Sequence, residues 1–78
     1  MKQIKVSIEV TTVYLRVYIA EMIHISVKID EFIGIQSYFN GTDCYIDYHT
    51  KHGIIEGVYT RKDIWLKILK QLKQKNLI

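Results

Sequence analysis

Asp47 and His49 stand two apart in the chain, with His52 just beyond. A carboxylate beside imidazoles is the pairing from which general-base and metal sites are built. Residues at i and i+2 share one face of a strand, so Asp47 and His49 would be neighbours, with His24 as a further candidate. Such sites need convergent ligands and a second layer of partners to orient them. Two strand neighbours and a turn histidine supply neither, so these read as ordinary surface residues. Cys44, the only cysteine, is expected to face the core, where a thiol acts as a small hydrophobe and not a nucleophile. It excludes an intramolecular disulfide and a cysteine-rich zinc site. Gly34, Gly41, Gly53 and Gly57 are isolated and build no phosphate-binding loop. The chain therefore reads as a non-enzyme, with no catalytic residues, no metal and no cofactor.

A second chemistry is electrostatic. In YTRKDIWLKILKQLKQK, residues 59–75, Lys62, Lys67, Lys70 and Lys73 fall on one side of a helical wheel, with Asp63 the only acid on that helix. Four ammonium groups could grip phosphate by releasing counterions. They could equally be the solvated back of an amphipathic helix. The imbalance is real: residues 61–78 carry six bases and one acid, whereas residues 1–60 carry five bases and seven acids, for a net +3.

A third feature is aromatic. Alternation along the strands puts Tyr14, Tyr18, Tyr38 and Tyr45 on one outer sheet face with Arg16, His24, Lys28, Asp47 and His49. Clustered exposed tyrosines mark interfaces. They could stack on unpaired bases. No glycine-aromatic motif of the kind used by sheet-based RNA binders accompanies them, and Asp30, Glu31, Asp43 and Asp47 would repel phosphate.

The elements that must position these groups are legible from periodicity. Ile4, Val6, Ile8 and Val10 alternate with polar residues, the mark of a strand with one buried face, about 3–10. Val13, Leu15, Val17 and Ile19 alternate on the opposite parity, so a bulged or irregular corner is expected at Thr11–Thr12 before a strand over 13–19. Residues 12–20 read as a separate strand, part of a bent longer one, or a short helix; their β-branched content and their apolar residues pointing all round a helical wheel favour strand. Further strands are expected over 23–29, 33–39, 43–49 and 54–60. Asp30–Phe32 forms a short loop that keeps the apolar face in register. Asn40-Gly41 is the clearest turn, pairing Phe39 with Thr42, Ser37 with Cys44, Ile35 with Ile46 and Ile33 with Tyr48. In the last strand Ile55, Gly57 and Tyr59 point inward if His49 faces Ile54, with Gly57 leaving room for a large side chain.

A helix over 61–75 follows. Thr60 and Asp63 resemble a capping box, and Asn76 is a stop signal. Ile64, Trp65, Ile68, Leu69 and Leu72 fall in an arc of roughly 140°, with Trp65 as its centrepiece against the sheet. The fold class is thus α+β: an antiparallel meander of four or five strands with one C-terminal amphipathic helix on one face.

At 78 residues and 49% apolar content the chain is one small packed domain. Domains of this size bury only roughly 60% of their unfolded surface, which favours a core shared with a partner and so a homodimer. The N-terminal segment alternates and reads as a strand, not a signal peptide. No apolar run reaches the about 20 residues of a membrane span, so a cytoplasmic protein without membrane contact is expected. Fourteen Ile and nine Lys against one Ala and no Pro follow AT-rich codons, a hint of a low-GC bacterium, a phage or another mobile element. The first functional expectation is an interaction protein, an inhibitor or accessory factor that binds a larger protein or nucleoprotein assembly. The second is a small nucleic-acid binder using the helix lysines and sheet tyrosines. An enzyme built on Asp47 and His49 ranks last.

Overall fold

The computed structural model describes residues 4–78, with Gly57 only as part of the backbone of its strand. The start of the first expected strand, at residue 3, and the space expected beside Gly57 lie outside the described residues. The α+β class holds, with a larger strand count than expected. Among the described residues six strands, β1 (Val6–Val10), β2 (Tyr14–Ile19), β3 (Met22–Lys28), β4 (Phe32–Asn40), β5 (Asp43–Thr50) and β6 (Gly53–Arg61), precede α1 (Lys62–Gln74). They form two antiparallel sheets, β1-β2-β3 and β4-β5-β6, in place of the expected single meander of four or five strands.

The division has a geometric reason. Six strands spaced about 4.8 Å apart would make one sheet roughly 24 Å wide. A helix is about 10 Å across and covers less than half of that. Breaking the sheet at Ile29–Glu31 lets both inner faces share one core with the helix. The joint is held by Glu31 N–H donating to Lys28 O (3.0 Å), Ile29 N–H to Val13 O (3.0 Å) and Lys51 N–H to Glu31 O (2.9 Å). The loop therefore does not carry the apolar face onward within one sheet: Phe32 packs against the core, and Ile33, expected inward, is the extra residue of a bulge and is 62% exposed.

The core joins all layers. Val6, Ile8, Leu15, Val17, Ile25 and Val27 come from the first sheet, Cys44, Ile46 and Tyr48 from the second, and Ile64, Trp65, Ile68 and Leu72 from the helix. This is the expected apolar arc of α1, with Leu69 at its margin. Among the described residues no helix is long and apolar enough to cross a membrane.

Turn chemistry refines the register. At Thr11 the corner is irregular, as expected: the Thr11 hydroxyl oxygen accepts from the N–H groups of Val13 and Tyr14 (3.1 and 3.0 Å). The β2–β3 hairpin turns through Ala20 and Glu21, both at positive φ (51° and 67°), the two-residue turn whose twist matches its strands, here built without glycine. Between β4 and β5 the turn residues are Gly41-Thr42 and not Asn40-Gly41, since Asn40 pairs with Asp43. Gly41, at φ 65°, supplies the positive φ at the first turn position. The register consequently slides by two, so Ile35 meets Tyr48, Ser37 meets Ile46 and Phe39 meets Cys44. A slide of two preserves the faces.

The ends of α1 also differ from the sequence pattern. Thr60 is no cap: it is 5% exposed, still in β6 and paired with Cys44, because the strand runs directly into the helix at Arg61. Asp63 accepts from Arg61 (3.0 Å), and Lys62 N–H donates to Thr42 O (2.9 Å). Asn76 does end the helix. At φ 57° it donates to Lys73 O (3.1 Å) while Leu77 N–H donates to Leu72 O (2.9 Å), the Schellman pattern.

Candidate protein-interaction site

Across the outer face of β4-β5-β6, Tyr38 pairs with Tyr45 and Tyr45 with Tyr59, one tyrosine per strand in a single row. The rings are 48%, 38% and 54% exposed. Tyr45 and Tyr59 meet edge to face at 5.7 Å and 60°, a preferred aromatic geometry. Two of the three hydroxyls are tied down: Tyr59 donates to Asp43 (3.1 Å), and Tyr38 bonds Asp47, each bond holding its phenol above the usual pKa. What remains open is chiefly ring surface, with the Tyr38 and Tyr59 rings oriented by their bonded hydroxyls.

Tyr59 belongs to this row against expectation. His49 does pair with Ile54, but β6 then takes an extra residue between Ile55 and Val58, reversing which side chains face out. Ile55 stays opposite Tyr48 on the inner side, whereas Tyr59 emerges beside Tyr45. The adjacent apolar pair Ile54-Ile55, which breaks alternation, is the only trace of this in the sequence.

Tyr14 and Tyr18 lie on the other sheet, so the four tyrosines anticipated as a set are divided between two surfaces. There the face is internally linked. Arg16 lies 3.7 Å over the Tyr14 ring and donates to the Ser26 hydroxyl (3.2 Å), and Tyr18 donates to Glu9 (3.1 Å).

The helix lysines divide similarly. Lys67 donates to Ile4 O (2.9 Å), and Gln71 donates to Val6 O (2.7 Å), so the helix caps the open edge of β1. Covering an edge in this way blocks unwanted strand pairing. Lys62 sits 5.5 Å from the Phe39 ring. Lys67, Lys70 and Lys75 line one groove of about 590 Å³ with Ser7, Ile8, Gln71 and Gln74. Lys73 is exposed. This lysine groove borders β1, whereas the tyrosine row lies on the face of β4-β5-β6 turned away from the shared core.

The Asp/His set disperses to three places. Asp47 and His49 flank the tyrosine row, His52 meets Glu31 (3.2 Å), and His24 turns inward. Among the described residues no group of three or more His, Cys, Asp or Glu could hold a metal ion. Cys44 is buried, which pushes its thiol pKa up.

His24 is the residue that alternation placed on the wrong side. Val17 pairs with Ile25 and Tyr18 with Ile23, leaving His24 as the extra residue of a bulge. Bulges re-aim side chains, and this one brings the imidazole edge to face against the buried Tyr48 ring, with centroids 6.1 Å apart. Burial lowers the pKa of His24 and raises that of Tyr48. His24 Nε2 and Tyr48 Oη are buried without a hydrogen-bond partner in the structure. Each such orphan costs about 1–3 kcal/mol.

No protein-family model, no curated protein and no solved structure matches the chain.

Proposed function

We propose that this chain is a non-enzymatic interaction protein that forms a homodimer through the Tyr38–Tyr45–Tyr59 row and, as that dimer, binds a larger protein assembly. The row carries the reading. Three partly exposed rings on a rigid sheet offer large contact area with few rotatable bonds, and tyrosine is enriched at protein interfaces for that reason. Asp43, Asp47, His49 and Arg61 around the rings provide a polar rim of both signs. An inhibitor or accessory factor, occupying a surface and catalysing nothing, is the role this chemistry fits.

The test is size-exclusion chromatography with light scattering on the wild type and on Tyr45→Lys. The expected result is a wild-type dimer that persists at high salt and a folded Tyr45→Lys monomer. A wild-type monomer, or a dimer indifferent to Tyr45→Lys, would remove the row as the interface.

The groove of Lys67, Lys70 and Lys75 favours a second reading, phosphate binding to nucleic acid. Binding of that kind would weaken steeply with salt and would vanish on Lys70→Glu/Lys75→Glu without loss of folding. The sheet tyrosines would not share the task, because β4-β5-β6 itself stands between them and the core on which α1 packs.

A further inference from the structure

Area is what the tyrosine row lacks. The rings of Tyr38, Tyr45 and Tyr59 are each about half exposed and together offer about 300 Å². A stable interface takes about 800 Å² from each partner, with an apolar centre and a polar rim. The row is therefore the centre of a larger contact, and the rest of that contact must adjoin it. Along the strands the row is bounded by polar residues, Gln36 and Asp47 on one side and Asn40, Asp43 and Arg61 on the other. Beyond Tyr38 the sheet ends at β4. Beyond Tyr59, by contrast, lies an open hollow of about 310 Å³, whose wall Tyr59 forms with Ile19, Met22, Ile23 and Ile64. Met22 and Ile23, at the start of β3, are 74% and 58% exposed, nearly as much apolar surface again as the row presents.

We infer that the dimer interface continues from Tyr59 around the β6 edge into this hollow, where an apolar side chain of the second copy is seated against Met22 and Ile23. The inference rests on the reading of the tyrosine row as the dimer contact. An apolar patch that runs unbroken from one sheet to the other is more than scattered surface residues account for. In a two-fold dimer the same surface supplies both the hollow and the side chain that enters it, so the occupant comes from the second copy's own row or from its Met22. The unbranched thioether of Met22 adapts its shape to such a neighbour. The hollow suits an uncharged occupant, because Arg61, the one guanidinium in its lining, is already engaged by Asp63 at 3.0 Å.

The test is sedimentation equilibrium of the full chain as wild type, Tyr45→Lys, Ile23→Glu and Val13→Glu, with circular dichroism to check folding. Ile23→Glu puts a charge into the hollow and should raise the dimer dissociation constant about thirtyfold or more, as loss of a buried anchor does. Val13→Glu adds the same charge at a similarly exposed site (61%) beside the start of β2, at the opposite end of that strand from Met22, and should leave the constant unchanged. With isotope-labelled methionine methyl groups, a soluble gadolinium chelate should broaden the Met22 methyl resonance several-fold less in the wild-type dimer than in the Tyr45→Lys monomer. That readout decides the matter even if Ile23→Glu does not fold. A dimer that Tyr45→Lys breaks and Ile23→Glu does not, or one whose Met22 methyl is as accessible as in the monomer, overturns the extension, leaves the row standing and hands the hollow to the larger assembly. Equal weakening by Val13→Glu also overturns the extension. A wild-type monomer overturns both the row and its extension.

Discussion

The outer faces of the two sheets are made from similar residues and end in different states. On β1-β2-β3 the tyrosines are half-buried by their neighbours: Arg16 covers Tyr14, and Glu9 holds Tyr18. On β4-β5-β6 the acids Asp43 and Asp47 engage the Tyr59 and Tyr38 hydroxyls, and the rings stay open. The contrast turns on a long cation. Arg16 reaches across its own sheet, whereas Arg61, the arginine of the second sheet, is drawn off to Asp63 at the start of the helix. Among the described residues no cation lies over the ring of Tyr38, Tyr45 or Tyr59.

The comparison breaks if the sheets are separate units, and the core decides that with the largest effect. Leu15→Ala in the first sheet and Ile46→Ala in the second remove fully buried side chains from one cluster, and each should cost about 2–5 kcal/mol in urea denaturation. Both should unfold in a single transition reported alike by Trp65 fluorescence and far-ultraviolet circular dichroism. Two transitions would mean two cores.

Next in size is His24, which the bulge carries between the sheets. His24→Leu should stabilise the protein at neutral pH by about 1–3 kcal/mol, since it removes a buried orphan. The same variant should change the pH dependence. Because burial lowers the folded-state pKa, the unfolded chain takes up the proton first, so the wild type should lose stability as pH falls below about 6.5. His24→Leu should remove that component. An unaltered profile would take His24 out of the interior.

Lys67→Met tests whether the helix lysines are one set. It should cost about 1 kcal/mol through loss of the bond to Ile4 O, whereas Lys73→Met should stay within about 0.5 kcal/mol. Equal effects would restore a uniform lysine face. Smallest, and closest to the contrast between the tyrosine faces, is Arg16→Ala. It removes an exposed cation–π contact, so it should cost the least stability of these substitutions and should make Tyr14 more accessible to an iodide quencher. If Tyr14 is no better quenched, the guanidinium is not what covers it.

How far the fold was legible follows the register. Alternation located every strand to within a few residues, and the apolar arc of α1 named its buried residues. The failures cluster at bulges: Ile33, His24 and the β6 stretch before Val58 each add a residue to one strand of a pair. Each has a doubled apolar neighbourhood, Phe32-Ile33, Met22-Ile23 and Ile54-Ile55, in which two adjacent side chains compete for one inward position. A period of two cannot say which of them wins. The tyrosine row is therefore half legible: alternation reads Tyr38 and Tyr45 as outward and Tyr59 as inward, and it groups Tyr14 and Tyr18 with a sheet to which they do not belong.

Local chemistry by itself determined the strands, the irregular corner at Thr11, the helix with its stop at Asn76, and the outward lysines, because each depends on side chains within a turn or two of one another. Tertiary structure alone decided that the strands divide into two sheets, that Lys67 caps β1, that Tyr59 completes a row with Tyr38 and Tyr45, and that His24 meets Tyr48. Those outcomes depend on one helix having to cover six strands and on which of two neighbouring apolar residues the shared core can accept. Both are properties of the assembled layers and leave no periodicity in the chain.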